Sequence, residues 1–96
     1  MSLRFAHSAY KHGISRERAG YVIDHCGLPY EGLEDDGEAV LFFGDDWNGV
    51  PLEIGAIELE DGNLLVIHAM ALRRKYQNLY WTNSLVAWSE VTSPDS

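Results

Sequence analysis

The chain has 96 residues, enough for one hydrophobic core and not for two. Three Trp, five Tyr and three Phe can supply that core, and no apolar run approaches the roughly 18 residues of a membrane span, so a soluble domain is expected. The formal net charge of −8 opposes indiscriminate nucleic-acid binding, and the one cysteine, Cys26, excludes an internal disulfide.

Residues 3–6 form a short apolar start. Arg4 is not followed by an apolar run, so no signal peptide is expected and the location reads as cytoplasmic. Residues 8–13 read as one helical turn or a short helix that stops at Gly13. Ser15 is a good N-cap for a helix over 16–26, where Ala19, Val22, Ile23 and Cys26 recur at helical spacing. Gly27 and Pro29 end it.

Residues 28–34 make at best a weak edge strand, and Asp35-Asp36-Gly37 a turn. Residues 38–44 form a strong strand, and 45–49 a loop with Asn48-Gly49 turn chemistry. The next strand, 50–60, is apolar in one phase at Leu52, Ile54 and Ala56 and in the other at Ile57 and Leu59. That phase break predicts a β-bulge at Gly55. Asp61-Gly62 turns the chain into 63–70, apolar in both phases, which predicts a central strand covered on both sides. His68 lies on it, in phase with Leu64, Val66 and Met70.

A last helix opens at Leu72, with Leu72, Tyr76, Leu79 and Tyr80 on one face. If it continues, Trp81, Leu85 and Trp88 form a second stripe, which either folds back on the sheet or packs against another protein chain, a second copy in a homodimer included. The fold class is therefore α+β: two N-terminal helices, an antiparallel meander of three or four strands, and a C-terminal helix packed on the sheet. One domain spans residues 1–91, followed by a flexible tail over 92–96.

All seven Lys and Arg lie in two clusters: Arg4, Lys11, Arg16 and Arg18, then Arg73, Arg74 and Lys75. Between them stand twelve of the fifteen acids and no Lys or Arg. The two clusters make one phosphate-binding patch if the fold joins them; the acidic span otherwise suits a basic protein partner.

His68 reads either as a satisfied histidine at the core edge or as a general acid–base group, since imidazole titrates near neutral pH. Arg73, Arg74 and Lys75 are either a solvated helix start or phosphate ligands, with Arg73 able to grip a phosphate bidentately. Tyr76 and Tyr80 are core residues or base-stacking rings, and Lys11 and His12 are surface residues or the second half of the patch. Cys26 reads as a structural thiol. No pair of His or Cys has zinc-ligand spacing, and the acids at Glu34, Asp35, Asp36 and Glu38 read as solvated turn residues, so no metal or cofactor is expected.

Three stretches carry a resemblance to a known family: Lys11-His12-Gly13-Ile14-Ser15 with Ala19 and Val22; Leu52-Glu53-Ile54 after the Asn48-Gly49 loop; and Val66-Ile67-His68-Ala69-Met70-Ala71-Leu72-Arg73 with Lys75-Tyr76. In this order they resemble the BrnT-like toxins of the RelE superfamily. The resemblance implies the toxin of a bacterial toxin–antitoxin module, a metal-independent endoribonuclease neutralised by a DNA-binding antitoxin. It implies catalytic roles for His68, Arg73 and Tyr76 and RNA binding by Lys11, His12, Arg74 and Lys75. Such toxins are usually basic, whereas this chain has a pI near 4.7. The alternative is a non-catalytic protein-binding module on a toxin-like fold.

Overall fold

The computed structural model describes residues 2–33 and 38–82. Strand β1 (Leu3–Phe5) is followed by a 3-10 turn (His7–Tyr10), helix α1 (Arg16–His25), strands β2 (Tyr30–Glu31), β3 (Ala39–Asp45), β4 (Pro51–Glu58) and β5 (Leu64–Ala71), and a second 3-10 turn (Arg74–Tyr76). Residues 77–82 continue from that turn as helix. The five strands form one mixed sheet in the order β1-β5-β4-β3-β2. Thus α+β holds and β2 to β5 form the expected antiparallel meander, but the sheet is mixed and five-stranded because β1 is added to it. Strand β1 joins the far edge parallel to β5, pairing Leu3 with Leu64 and Phe5 with Val66. A three-residue strand carries too little pattern to be recognised from sequence, and its partner lies about sixty residues away.

Two N-terminal helices were expected, and one is found. The predicted first helix is a single 3-10 turn, and Gly13 beyond it adopts φ +76°, a left-handed conformation that ends helical structure. Helix α1 begins as expected: the Ser15 hydroxyl accepts from the Arg18 amide at 3.2 Å. It buries Ala19 and Val22 on one face of the sheet. Val40, Phe42, Leu52, Ile54, Ala56, Leu64, Val66 and Ala69 complete that core. The opposite face carries a smaller cluster, in which Leu41 and Phe43 meet Tyr76, Leu72, Leu79 and Tyr80. Leu72 itself lies outside any helix; the C-terminal helical structure starts later, with the turn at Arg74. Leu85 and Trp88 lie outside the described residues, as does the tail over 92–96.

The β-bulge falls at the expected place in the ladder but on the other strand. Gly55 pairs with His68 and Ala56 with Val66, leaving Ile67 as the extra residue on β5. Strand β4 keeps strict alternation through Ile57. The consequence is a change of phase in β5: Leu64 and Val66 face α1, whereas His68 turns to the opposite face with Met70. The expected common phase of His68 with Leu64 and Val66 is therefore corrected by the bulge. The Ile67 carbonyl, displaced from the ladder, accepts from the Ser8 hydroxyl at 2.6 Å.

Helix α1 approaches β3 closely at Gly44. A Cβ there would lie 3.0 Å from Cys26 Cβ and 3.4 Å from Val22 Cγ1. Gly44→Ala is therefore expected to push α1 off the sheet and destabilise the fold by about 1–3 kcal/mol. Urea unfolding followed by Trp fluorescence checks this; an unchanged midpoint would mean that the helix shifts at no cost.

Candidate functional site

Glu53 has no exposed surface, although it is an acid in the middle of the sheet. Alternation along β4 points Leu52 and Ile54 at α1 and Glu53 at the other face, opposite Phe43 on β3 and Met70 on β5. A charge there requires partners, because an isolated buried carboxylate is several kcal/mol worse off than in water. Two residues supply them. The Arg73 amide donates to Oε1 at 2.8 Å, and its Nε and Nη2 donate to Oε2 at 2.9 and 2.5 Å. His68 Nε2 lies 3.3 Å from the same Oε2. Nε2 is buried and, at that distance, makes no hydrogen bond of good geometry.

Burial alone would push the Glu53 carboxyl up. The contacts from His68 and from the Arg73 side chain and amide outweigh it and hold the group down at about 2, so Glu53 is ionised throughout the neutral range. The site is not sealed: the His68 and Arg73 side chains keep 24% and 32% of their surface exposed. Opposite His68 on β4 is Gly55, where an added Cβ would lie 3.1 Å from Nδ1, 3.2 Å from Cε1 and 3.3 Å from Leu41 Cδ2. The imidazole thus rests on bare backbone, wedged between Gly55 and Glu53.

The 3-10 turn after Arg73 brings the rest of the second basic cluster alongside. Arg73 Cζ and Lys75 Nζ lie 5.3 and 5.0 Å from the Tyr76 ring centroid, within cation–π range. Arg74 and Lys75 are exposed. Tyr76 itself is buried, and its hydroxyl donates to the Leu33 carbonyl at 3.2 Å. It enters the site as a platform for two cations, not through its hydroxyl. Tyr80 donates to Asp45 Oδ1 at 2.6 Å and ties the helical residues to the end of β3.

The first basic cluster lies elsewhere. Lys11 and His12 follow the turn that buries Ala9 in the α1-side core, so the sheet separates them from Arg73. Arg18 is engaged with Asp46, whose Oδ2 accepts from its Nε at 2.8 Å while Oδ1 takes the amides of Asn48 and Val50. Those bonds, the Val50 amide first, hold the Asp46 carboxyl below its usual range and brace the β3–β4 loop. The condition for one joined phosphate-binding patch, that the fold bring the two clusters together, is not met. Burial pushes the Cys26 thiol up to about 11, so it is protonated at neutral pH and has the character of a structural thiol. Among the described residues no group of three or more His, Cys, Asp or Glu is placed to hold a metal ion.

Sequence analysis places His68, Arg73, Arg74, Lys75 and Tyr76 within one region but misses Glu53 as its centre. A signal exists: Glu53 is the one charged residue in the run from Val50 to Ile57. Comparison with family models, curated proteins and solved structures returns no match.

Two outcomes follow from the buried carboxylate. The Glu53 carboxyl is lowered on folding, from 4.5 to about 2. Its contribution is therefore complete above pH 4.5 and is lost as pH falls from there towards 2. Thermal melts across that window are expected to show a falling midpoint, and a flatter profile in Glu53→Leu; parallel profiles would contradict the assignment. Arg73→Ala leaves the carboxylate without its main partner. It is expected to cost about 2–3 kcal/mol, less than the ~3–5 of a fully buried pair because a third of Arg73 reaches water. Chemical denaturation of the two proteins measures it.

Proposed function

We propose that this chain is a metal-independent endoribonuclease with a RelE/BrnT-like arrangement, the toxin of a toxin–antitoxin pair. The observation that carries the reading is one carboxylate holding a histidine and an arginine side by side, both partly exposed. Cleavage of RNA without a metal needs a group to take the 2′-hydroxyl proton and positive charge on the phosphate as negative charge builds on its oxygens. His68 takes the proton, and the 2′-oxygen forms a bond to phosphorus. The bond from phosphorus to the 5′-oxygen breaks, and that oxygen takes a proton from water, giving a cyclic phosphate and a free 5′-hydroxyl. Arg73 offers the exposed part of its guanidinium to the phosphate, and Arg74 and Lys75 extend the positive surface along the strand.

An antitoxin is the protein partner in this reading, and it covers these cations when bound. Trp81, 60% exposed at the end of the described helix, is the residue through which it or a second copy docks. The second reading, a non-catalytic binding module on a toxin-like fold, draws on a different observation: Lys11 and His12 do not join Arg73 across the sheet, and the acidic span repels RNA at long range.

Purified chain incubated with single-stranded RNA separates the two. Cleavage is expected from the wild type, with a folded His68→Asn slower by at least ~10²-fold. Expression of the wild type and not of His68→Asn is expected to arrest growth. Equal cleavage by both would remove His68 from the chemistry. No cleavage and no arrest would leave the binding module.

A further inference from the structure

The two nitrogens of His68 stand in different surroundings. Nε2 is buried and lies 3.3 Å from a carboxylate that has no exposed surface. Nδ1 lies on the other side of the ring, above Gly55, in a side chain that keeps a quarter of its surface in contact with solvent. In neutral imidazole one nitrogen carries the proton and the other is an acceptor, and a carboxylate close to one nitrogen favours the proton there. We infer that Glu53 and Gly55 are positioning residues that keep the His68 proton on Nε2 and make Nδ1 the nitrogen that exchanges protons with substrate. This rests on the ribonuclease reading for its substrate, an RNA 2′-hydroxyl, but not for its geometry.

Each neighbour has a distinct part. A carboxylate beside Nε2 stabilises a proton on that atom, and ionisation of Glu53 keeps the preference constant through the neutral range. Arg73 holds the same carboxylate from the other side through Nε, Nη2 and its amide, so Glu53 cannot swing away from the ring. Other charged groups on that side of the sheet include Lys75 on the Tyr76 ring, Arg74 on the same turn, Asp45 with Tyr80, and Arg4 with Asp61. Gly55 sets the depth at which the ring sits. The space a Cβ would need is within 3.1–3.3 Å of Nδ1, Cε1 and Leu41 Cδ2, so any larger residue lifts the imidazole. Lifting it lengthens the contact to Glu53 and moves Nδ1 away from where the hydroxyl arrives.

Two measurements test this. Long-range nitrogen–proton correlation spectra of the full chain, at a pH where His68 is neutral, read the tautomer without any RNA. A single Nε2–H form is expected in the wild type and a mixture in Glu53→Gln; an Nδ1–H form in the wild type, or an unchanged form in Glu53→Gln, would overturn the assignment. Should Glu53→Gln not fold, Gly55→Ala replaces it, because its neighbours are side-chain ends that can yield. The second measurement is the cleavage kinetics of Gly55→Ala on a single-stranded RNA oligonucleotide. A fall in kcat on the order of ten- to a hundredfold is expected, as for a reacting group displaced by a fraction of an ångström to one ångström. KM is expected to stay within about twofold, since the phosphate contacts are untouched. A loss carried by KM, or none, would overturn the role of Gly55. A wild type that cleaves nothing overturns the ribonuclease reading, whereas the tautomer spectra overturn only this one.

Discussion

The Glu53 carboxylate has no surface of its own, and the chain around it is arranged to keep it charged. Taking a carboxylate out of water costs several kcal/mol, and only paired charges and directed N–H groups offset that. Here the offset comes from residues 15 and 20 positions further along the chain, His68 and Arg73. Strand β5 must therefore run beside β4 in one register, and the chain must leave β5 so that the Arg73 amide points back at Oε1. That exit angle delivers Tyr76 onto Phe43 and Leu41 and starts the helical residues across the second face of the sheet. One buried charge thus couples a strand register, a turn and the packing of the C-terminal structure.

The bulge at Ile67 makes the coupling possible. Without an extra residue, strict alternation along β5 would put His68 on the α1 face with Leu64 and Val66, among apolar side chains and away from Glu53. With it, the first half of β5 fills one core and the second half turns His68 to the other side. Ser8 binds the displaced Ile67 carbonyl, which gives that acceptor a partner in place of the ladder. Strand β1 covers β5 only from Leu64 to Val66, so the bulge sits where the parallel pairing ends. Bulges at such edges commonly aim a side chain at a site, and this one aims a histidine.

The first basic cluster is engaged locally: Arg4 meets Asp61 at the surface, and on the α1 side Arg16 rests on Phe5 and Arg18 braces the loop through Asp46. On the other side Arg73 serves Glu53, with Arg74 and Lys75 on the turn beyond. The protein is strongly acidic overall, yet cations gather beside His68. A localised field of that kind selects where an anion settles and does little to attract it from afar.

The sequence by itself determined the α1 boundaries, the Asp61-Gly62 turn, the three long strands and the clustering of His68, Arg73 and Tyr76. Those follow from local causes: a capping hydroxyl, apolar periodicity and turn chemistry act over a few residues. It also placed an irregularity at Gly55–Ala56, where the ladder slips, although β4 itself alternates there without a break. Only the tertiary structure decided which strand carries the bulge, since either partner of a ladder can hold the extra residue. It alone placed β1 parallel to β5 and put Lys11 and His12 across the sheet from Arg73. Glu53 shows the division most clearly: a glutamate between Leu52 and Ile54 reads as one acid among fifteen. Its role arises from which face is covered and which distant cations arrive there, and those are properties of the folded chain.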